Sequence, residues 1–261
     1  MKILFIGDIF GDAGKEAVKK LVPKLRSSLK IDFVVGNCEN VVNGLGVNPK
    51  AADELFEAKI DVLTSGNHLY HFKEIYPYIQ KNPRLLRPLN YLPTTPGRGV
   101  WIGEVYAGIR VAVVNLIGQI FMTPPCDNPF SCIERELKNI QAESDIILVD
   151  MHAETTSEKG AMGRFLDGKV AAVLGTHTHI QTADETIFPG GTAFISDIGM
   201  TGPYHSVIGM DKEIVVKRFS TGLPIKYEPA RGDARLSAVL IEVEESSGKA
   251  TTIQRIQEKV S

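Results

Sequence analysis

Eight polar residues stand at the ends of apolar, β-branched runs of this chain: Asp8, Glu39, Asn40, Asn67, His68, His152, His177 and His179. Asn37 joins them, closing FVVGN at 33–37. Four of the six histidines fall at such ends, whereas chance would scatter them over helices and loops as well. Imidazole nitrogens mixed with carboxylate and amide oxygens suit iron, manganese or zinc rather than calcium or magnesium. That many donors exceed one tetrahedral site. They suit two cations about 3.5–4 Å apart sharing a bridging carboxylate, the arrangement used in phosphoester hydrolysis.

Each residue taken singly also has a plainer reading. Asp8 can cap the helix that starts near Ala13, and Glu39 and Asn40 can be solvated loop residues. Gly66-Asn67-His68 can be a turn, since glycine and asparagine favour turns for conformational reasons. His152 can be a satisfied buried histidine. GTHTH at 175–179 resists this treatment, because two imidazoles two residues apart after an apolar run is a common metal-site spacing. His71 reads as a cap or surface residue, and His205 as a loop residue beside the cleft. Cys38 reads as a small buried apolar side chain. Asp197 reads either as a partner orienting a histidine or as a turn residue.

The elements that must position these residues alternate in type. Apolar runs at 2–8, 33–37, 62–68, 111–118, 146–152, 170–177 and 193–199 predict strands, near-continuous in hydrophobicity and so buried on both faces. Amphipathic patterns over Lys15–Leu29, Pro49–Ala58, Phe72–Gln80 and Ile133–Glu143 predict helices between them. Trp101–Tyr106 and Arg110–Leu116, joined by Ala107-Gly108, predict an antiparallel hairpin, and Ala238–Glu244 with Thr251–Ile256 a second. The proline-bearing stretches 88–98 and 123–129 predict surface loops. A mixed α/β fold with more than one sheet follows, in one domain spanning 1–261. In open α/β sheets ligands collect at the carboxyl ends of strands, which is where the donors lie.

Composition narrows the class further. The chain has 261 residues, 43% hydrophobic and 23% charged, and 29 Lys+Arg against 31 Asp+Glu leave a formal charge of −2. That excludes a polybasic nucleic-acid coat and gives no ground for an electrostatic membrane anchor. Three cysteines, Cys38, Cys126 and Cys132, make no disulfide framework or zinc knuckle, so a reducing cytoplasm is expected. The apolar start ends at Gly7-Asp8, too early for a signal peptide, and no run approaches the ~20 apolar residues of a membrane span.

The blocks GDIF at 7–10, GNCEN at 36–40, GNH at 66–68, DMH at 150–152 and GTHTH at 175–179 together resemble the ordered motifs of the calcineurin-like metallophosphoesterases. Two departures mark the chain: Phe10 stands where the first block carries a histidine, and Glu39 stands in for the bridging aspartate. With HAETTSEKGAMG at 152–163, THTHIQTADE at 176–185 and SDIGMTGP at 196–203, these departures are similar to the YmdB-like branch. The resemblance implies an α-β-β-α sandwich of mixed sheets flanked by helices. It implies a dinuclear phosphodiesterase acting on cyclic nucleotides (2′,3′, 3′,5′ or both), with iron as the metal and manganese or zinc as substitutes. One cation falls to Asp8, Glu39, Asn40 and His179, the second to Glu39, Asn67, His152 and His177, with Glu39 bridging. A metal-bound hydroxide is then the nucleophile and His68 the proton donor. The expected partner is a small-molecule phosphodiester, with no membrane or DNA, and self-association is implied.

Other readings compete. GDIFGDAG at 7–14 fits a glycine-rich dinucleotide loop, although no Tyr-x-x-x-Lys pair accompanies it. The same fold could serve as a phosphomonoesterase, or as a regulatory or RNA-associated module whose metal site is only structural.

Overall fold

The first apolar run forms a strand, β1 (Lys2–Ile6), because its alternate side chains are covered on both faces. Leu4 and Ile6 pack towards a helical layer, and Ile3 and Phe5 towards a second sheet. The computed structural model describes residues 1–260. After β1 come β2 (Asp8–Ile9), α1 (Gly11–Ser28), β3 (Phe33–Asn37), α2 (Pro49–Glu57), β4 (Val62–Thr64) and α3 (Ile75–Lys81). The central part holds β5 (Val100–Tyr106), β6 (Ile109–Ile117), α4 (Pro129–Glu143), β7 (Ile146–His152), α5 (Thr156–Phe165) and β8 (Ala172–Thr176). The chain finishes with β9 (Thr186–Ile187), β10 (Ala193–Ile195), β11 (Met200–Pro203), α6 (Lys212–Thr221), β12 (Ala234–Glu244) and β13 (Lys249–Lys259).

Two sheets result. The first runs β2-β11-β12-β1-β3-β4, with β13 added on β12; the second runs β5-β6-β7-β8-β10-β9. β1, β3 and β4 are parallel, as are β6, β7, β8 and β10, while β12 and the hairpins are antiparallel. Val18 and Val22 of α1 and Ala51 and Leu55 of α2 cover the outer face of the first sheet. Phe5, Val35, Val113, Leu148 and Leu174 fill the space between the sheets. Ile133 and Leu137 of α4 and Met162 of α5 cover the outer face of the second. The layers are α-β-β-α, mixed sheets flanked by helices as expected. Among the described residues no helix is long and apolar enough to cross a membrane.

The expected strands and hairpins form, with shifted limits. Ala107 and Gly108, at φ 48° and 81°, make the tight turn between β5 and β6. β12 and β13 are 11 residues each, longer than their alternation suggested. The run 193–199 is a strand only to Ile195, because Asp197 then turns the chain by accepting the Gly199 N–H. α1 begins at Gly11 rather than Lys15; Gly11 and Gly14 conceal its first turn from a hydrophobic pattern. Gly14 is required there, since a Cβ would lie 2.4 Å from the Thr201 carbonyl oxygen. Phe10 is the N-cap and makes no side-chain cap bond, so the capping reading of Asp8 fails: Asp8 is a buried residue of β2. Periodicity did not announce α5 or α6. α5 carries two glycines and a buried lysine, and α6 buries only Val215.

Candidate metal centre

The two parallel arrays end on a common edge, and the polar residues from those ends meet there. Asp8, Asn37, Glu39 and His152 are fully buried, and Asn40 nearly so. Glu39 enters from the turn after β3, held by its own N–H donating to Asn37 Oδ1 at 3.1 Å. His152 enters from the end of β7. Its Nε2 lies 3.1 Å from Glu39 Oε1, 3.2 Å from Asn67 Oδ1 and 3.1 Å from His177 Nδ1. Ligand atoms of Glu39, His152 and His177 all fall within 4.8 Å of one another. Gly66 makes the approach possible, because a Cβ there would sit 2.2 Å from His152 Nε2 and 2.4 Å from Glu39 Oε2.

Hydrogen bonds behind the rings set which nitrogen faces the cluster. Thr176 Oγ1 donates to Asp150 Oδ1 at 2.6 Å, so it accepts from His152 Nδ1–H at 2.9 Å and leaves the Nε2 lone pair pointing inward. His177 Nε2 donates to Glu154 Oε2 at 3.0 Å, which leaves Nδ1 facing the cluster. His179 Nδ1 donates to the Ile208 carbonyl at 2.9 Å, and its Nε2 meets Asn40 Nδ2 at 3.0 Å. His177 and His179 adopt left-handed backbone (φ 103° and 67°), a conformation rare for residues with a Cβ and frequent at functional sites. Asp8 Oδ2 accepts the His177 N–H at 3.0 Å, while Asp8 Oδ1 is buried with no partner.

These observations test whether the donors fit metal ions. Glu39 Oε1, Asn67 Oδ1, His152 Nε2 and His177 Nδ1 are acceptors turned towards each other, and one N–H could satisfy no more than one of them well. A buried convergence of acceptors is stable only with positive charge between them. Protonation behaviour says the same. Burial pulls the His152 imidazole down, but the Glu39 carboxylate, with Asp8 and Asp150, outweighs it and pushes it up to about 9, so the cluster draws positive charge to Nε2, as a proton where no cation takes its place. Burial also opposes ionisation of Glu39, yet His152 and His68 hold its carboxyl well below the usual range. Burial and neighbouring His152 push His177 down to about 3, so its ring is neutral and able to ligate. Burial raises Asp8. The residues fit.

His68 lies at the rim. Its N–H donates to Glu39 Oε2 at 3.0 Å, and its Nδ1 meets Asn40 Oδ1 at 2.9 Å, which leaves Nε2 for another partner. Burial lowers its pKa and Glu39 partly restores it. Phe10 occupies a dry slot: its ring meets His179 edge-on at 5.7 Å and is enclosed by Gly44 and Gly209. A cleft of about 330 Å³ opens over the cluster, lined by Glu39, Asn40, His68, His177 and His179 with the apolar Phe10, Leu45, Ile208 and Met210. His71 and His205 are exposed, and His205 meets Lys212 rather than the cluster. Asp197 does not touch a histidine ring; it accepts from the Thr178 peptide N–H between the two histidines. Glu154, Asp150, Thr64 and Thr176 were not singled out from the sequence. Glu154 follows His152 by two residues, a spacing that keeps it at the same strand end.

Comparison with known proteins gives consistent matches. Residues 4–256 match the family described as YmdB-like protein. A Bacillus subtilis (strain 168) protein named 2′,3′-cyclic-nucleotide 2′-phosphodiesterase is 44% identical over 256 residues, covering 98% of this chain and 96% of that one. A crystal structure of a hypothetical protein from Thermus thermophilus is 40% identical, with a TM-score of 0.92 over 99% of both chains. One described as a novel phosphatase, from Mycoplasma pneumoniae, is 33% identical, with a TM-score of 0.93 over 99% of this chain and 93% of that one.

Proposed function

We infer the function from one premise: this chain belongs to the YmdB-like family. It is an enzyme that hydrolyses phosphoric esters. We propose that it is a metal-dependent phosphodiesterase whose substrates are cyclic nucleotides, 2′,3′ or 3′,5′. The observation that carries this reading is the set of acceptor atoms from Glu39, Asn67, His152 and His177 turned inward on one another, beneath a cleft. We further propose that residues 1–261 act as one cytoplasmic domain, in keeping with donors contributed by both sheets and with three free cysteines.

In this reading Asp8, Glu39, Asn40 and His179 hold one divalent ion, and Glu39, Asn67, His152 and His177 hold a second, with Glu39 shared. Iron is the proposed metal, with manganese or zinc as substitutes. When bound, such ions supply Lewis acidity towards phosphoryl oxygens and lower the pKa of water to about 7. The chain's own residues do the rest. Thr176 and Glu154 fix which ring nitrogens of His152 and His177 face inward. Phe10, Leu45, Ile208 and Met210 give one side of the cleft an apolar wall, which lowers the local polarity beside the donors. His68, steadied at Nδ1 by Asn40, is placed to give a proton from Nε2 to the leaving alkoxide. An anionic phosphodiester in the cleft adds negative charge beside the imidazole and raises its proton affinity.

The test is hydrolysis by protein loaded with Mn²⁺ or Fe²⁺, comparing 2′,3′- and 3′,5′-cyclic nucleotides with 5′-monophosphates. Turnover of a cyclic substrate, with the monophosphates inert, is expected. Turnover of monophosphates alone would make the enzyme a phosphomonoesterase, and bound metal without product would make it a binding module.

A further inference from the structure

A charged pair lies beneath the histidine loop, outside the donor set. Lys159, in α5, is fully buried, and its Nζ donates to Asp197 Oδ2 at 2.7 Å. Asp197 Oδ2 also accepts the Thr178 N–H at 2.9 Å and the Thr178 hydroxyl at 2.8 Å, and Oδ1 accepts the Gly199 N–H at 2.8 Å. Thr178 is the one residue between His177 and His179. Gly199 in turn accepts the Asp8 N–H at its carbonyl (3.0 Å), and the next residue, Met200, donates its N–H to the His179 carbonyl at 3.1 Å. One buried carboxylate thus ties down the backbone of three donor residues drawn from β2 and from the loop after β8.

The loop needs such a tie. His177 and His179 flank Thr178 at left-handed φ, which residues with a Cβ do not hold unless their surroundings impose it. A carboxylate accepting N–H and O–H donors makes stronger bonds than a neutral acceptor, and Lys159 Nζ is its buried ion partner. Gly175 is required beside the pair, because a Cβ there would lie 1.8 Å from the Ser196 carbonyl oxygen as well as 2.9 Å from Lys159 Cδ. Buried ion pairs are weak contributors to stability, since desolvation offsets their attraction, so stability alone does not account for one at this place.

We infer that the Lys159–Asp197 pair is a positioning device for the cation site, holding the Thr178 peptide so that His177 and His179 present their rings to the ions. The inference rests on the reading that those histidines ligate metal.

The test is calorimetric titration of the metal-free protein with Mn²⁺, run on the parent, Lys159→Met, Thr178→Val and Leu137→Ala. Leu137 is buried in α4, away from the loop, so its variant reports loss of stability alone. Lys159→Met is expected to weaken Mn²⁺ binding about 10–100-fold, the usual effect of losing a support behind a ligand. Thr178→Val, which removes only the hydroxyl bond, should show a smaller loss in the same direction. Leu137→Ala should melt lower and bind Mn²⁺ as the parent does. Binding within twofold of the parent by Lys159→Met overturns the inference; if that variant does not fold, unchanged binding by Thr178→Val overturns it. A parent that takes up no Mn²⁺ sinks the metal reading itself, and this inference with it.

Discussion

Replacing Gly66 by alanine inserts a methyl group into the donor cluster. The added Cβ would lie 2.2 Å from His152 Nε2, 2.3 Å from His152 Cδ2 and 2.4 Å from Glu39 Oε2. Non-bonded heavy atoms settle near 3.5 Å, so the ring, the carboxylate or the Gly66 backbone must yield by more than 1 Å in total. None has room. His152 and Glu39 are fully buried and tied through Thr176 and Asn37, and the Gly66 carbonyl is 3.5 Å from the Tyr91 hydroxyl. Misplacement by about 1 Å at a reacting centre costs roughly 10²-fold in rate, and overpacking costs about 1–3 kcal/mol in stability. Gly66→Ala is therefore expected to stay folded yet lose about 99% of its activity on bis-p-nitrophenyl phosphate, along with much of its metal. Gly160→Ala is the control: it faces open space in α5 and should gain about 0.5–1 kcal/mol with activity intact. Metal content by mass spectrometry, steady-state rates and thermal melts read all three quantities. If Gly66→Ala keeps two equivalents of metal and a rate within threefold of the parent, the convergence of Glu39 and His152 on the reacting centre is refuted.

Glu39→Gln should strip or scramble both ions and lower activity by roughly a hundredfold or more, since even groups behind the ligands are worth 10–100-fold; dialysed protein analysed for metal would contradict this by showing normal content. His68→Ala should retain metal but lose turnover, least with substrates carrying good leaving groups. A uniform slowing across a leaving-group series would remove the proton-donor role. Chelation should lower the melting temperature by roughly 5–10 °C, because ions present at 100 times their dissociation constant stabilise by about 2.7 kcal/mol; an unchanged melt after verified metal removal would show that the buried carboxylates need no counter-ion. His71→Ala, at an exposed turn, should leave rates close to the parent.

The amino-acid sequence by itself determined the strands that carry the donors, since each is a short run of buried apolar residues whose period is local. It also determined the residue types at those ends, because turn-forming residues and side chains with nitrogen or oxygen acceptors directly follow those runs. Helices with a clear apolar stripe, such as α2 and α4, were legible for the same reason. α5 and α6 were not, because glycines and a buried lysine break the stripe in one and the other covers little core.

Only the tertiary structure decided what stands behind each donor. Thr176 and Asp150 orient His152, Ile208 orients His179 through a backbone carbonyl that carries no sequence signal, and Lys159 reaches Asp197 across 38 residues. It likewise placed β12 between β11 and β1, and seated Phe10 between two glycines far apart in the chain. Local periodicity reports which face of an element is buried. Which partner that face meets depends on packing between distant segments, and those contacts leave no pattern along the chain.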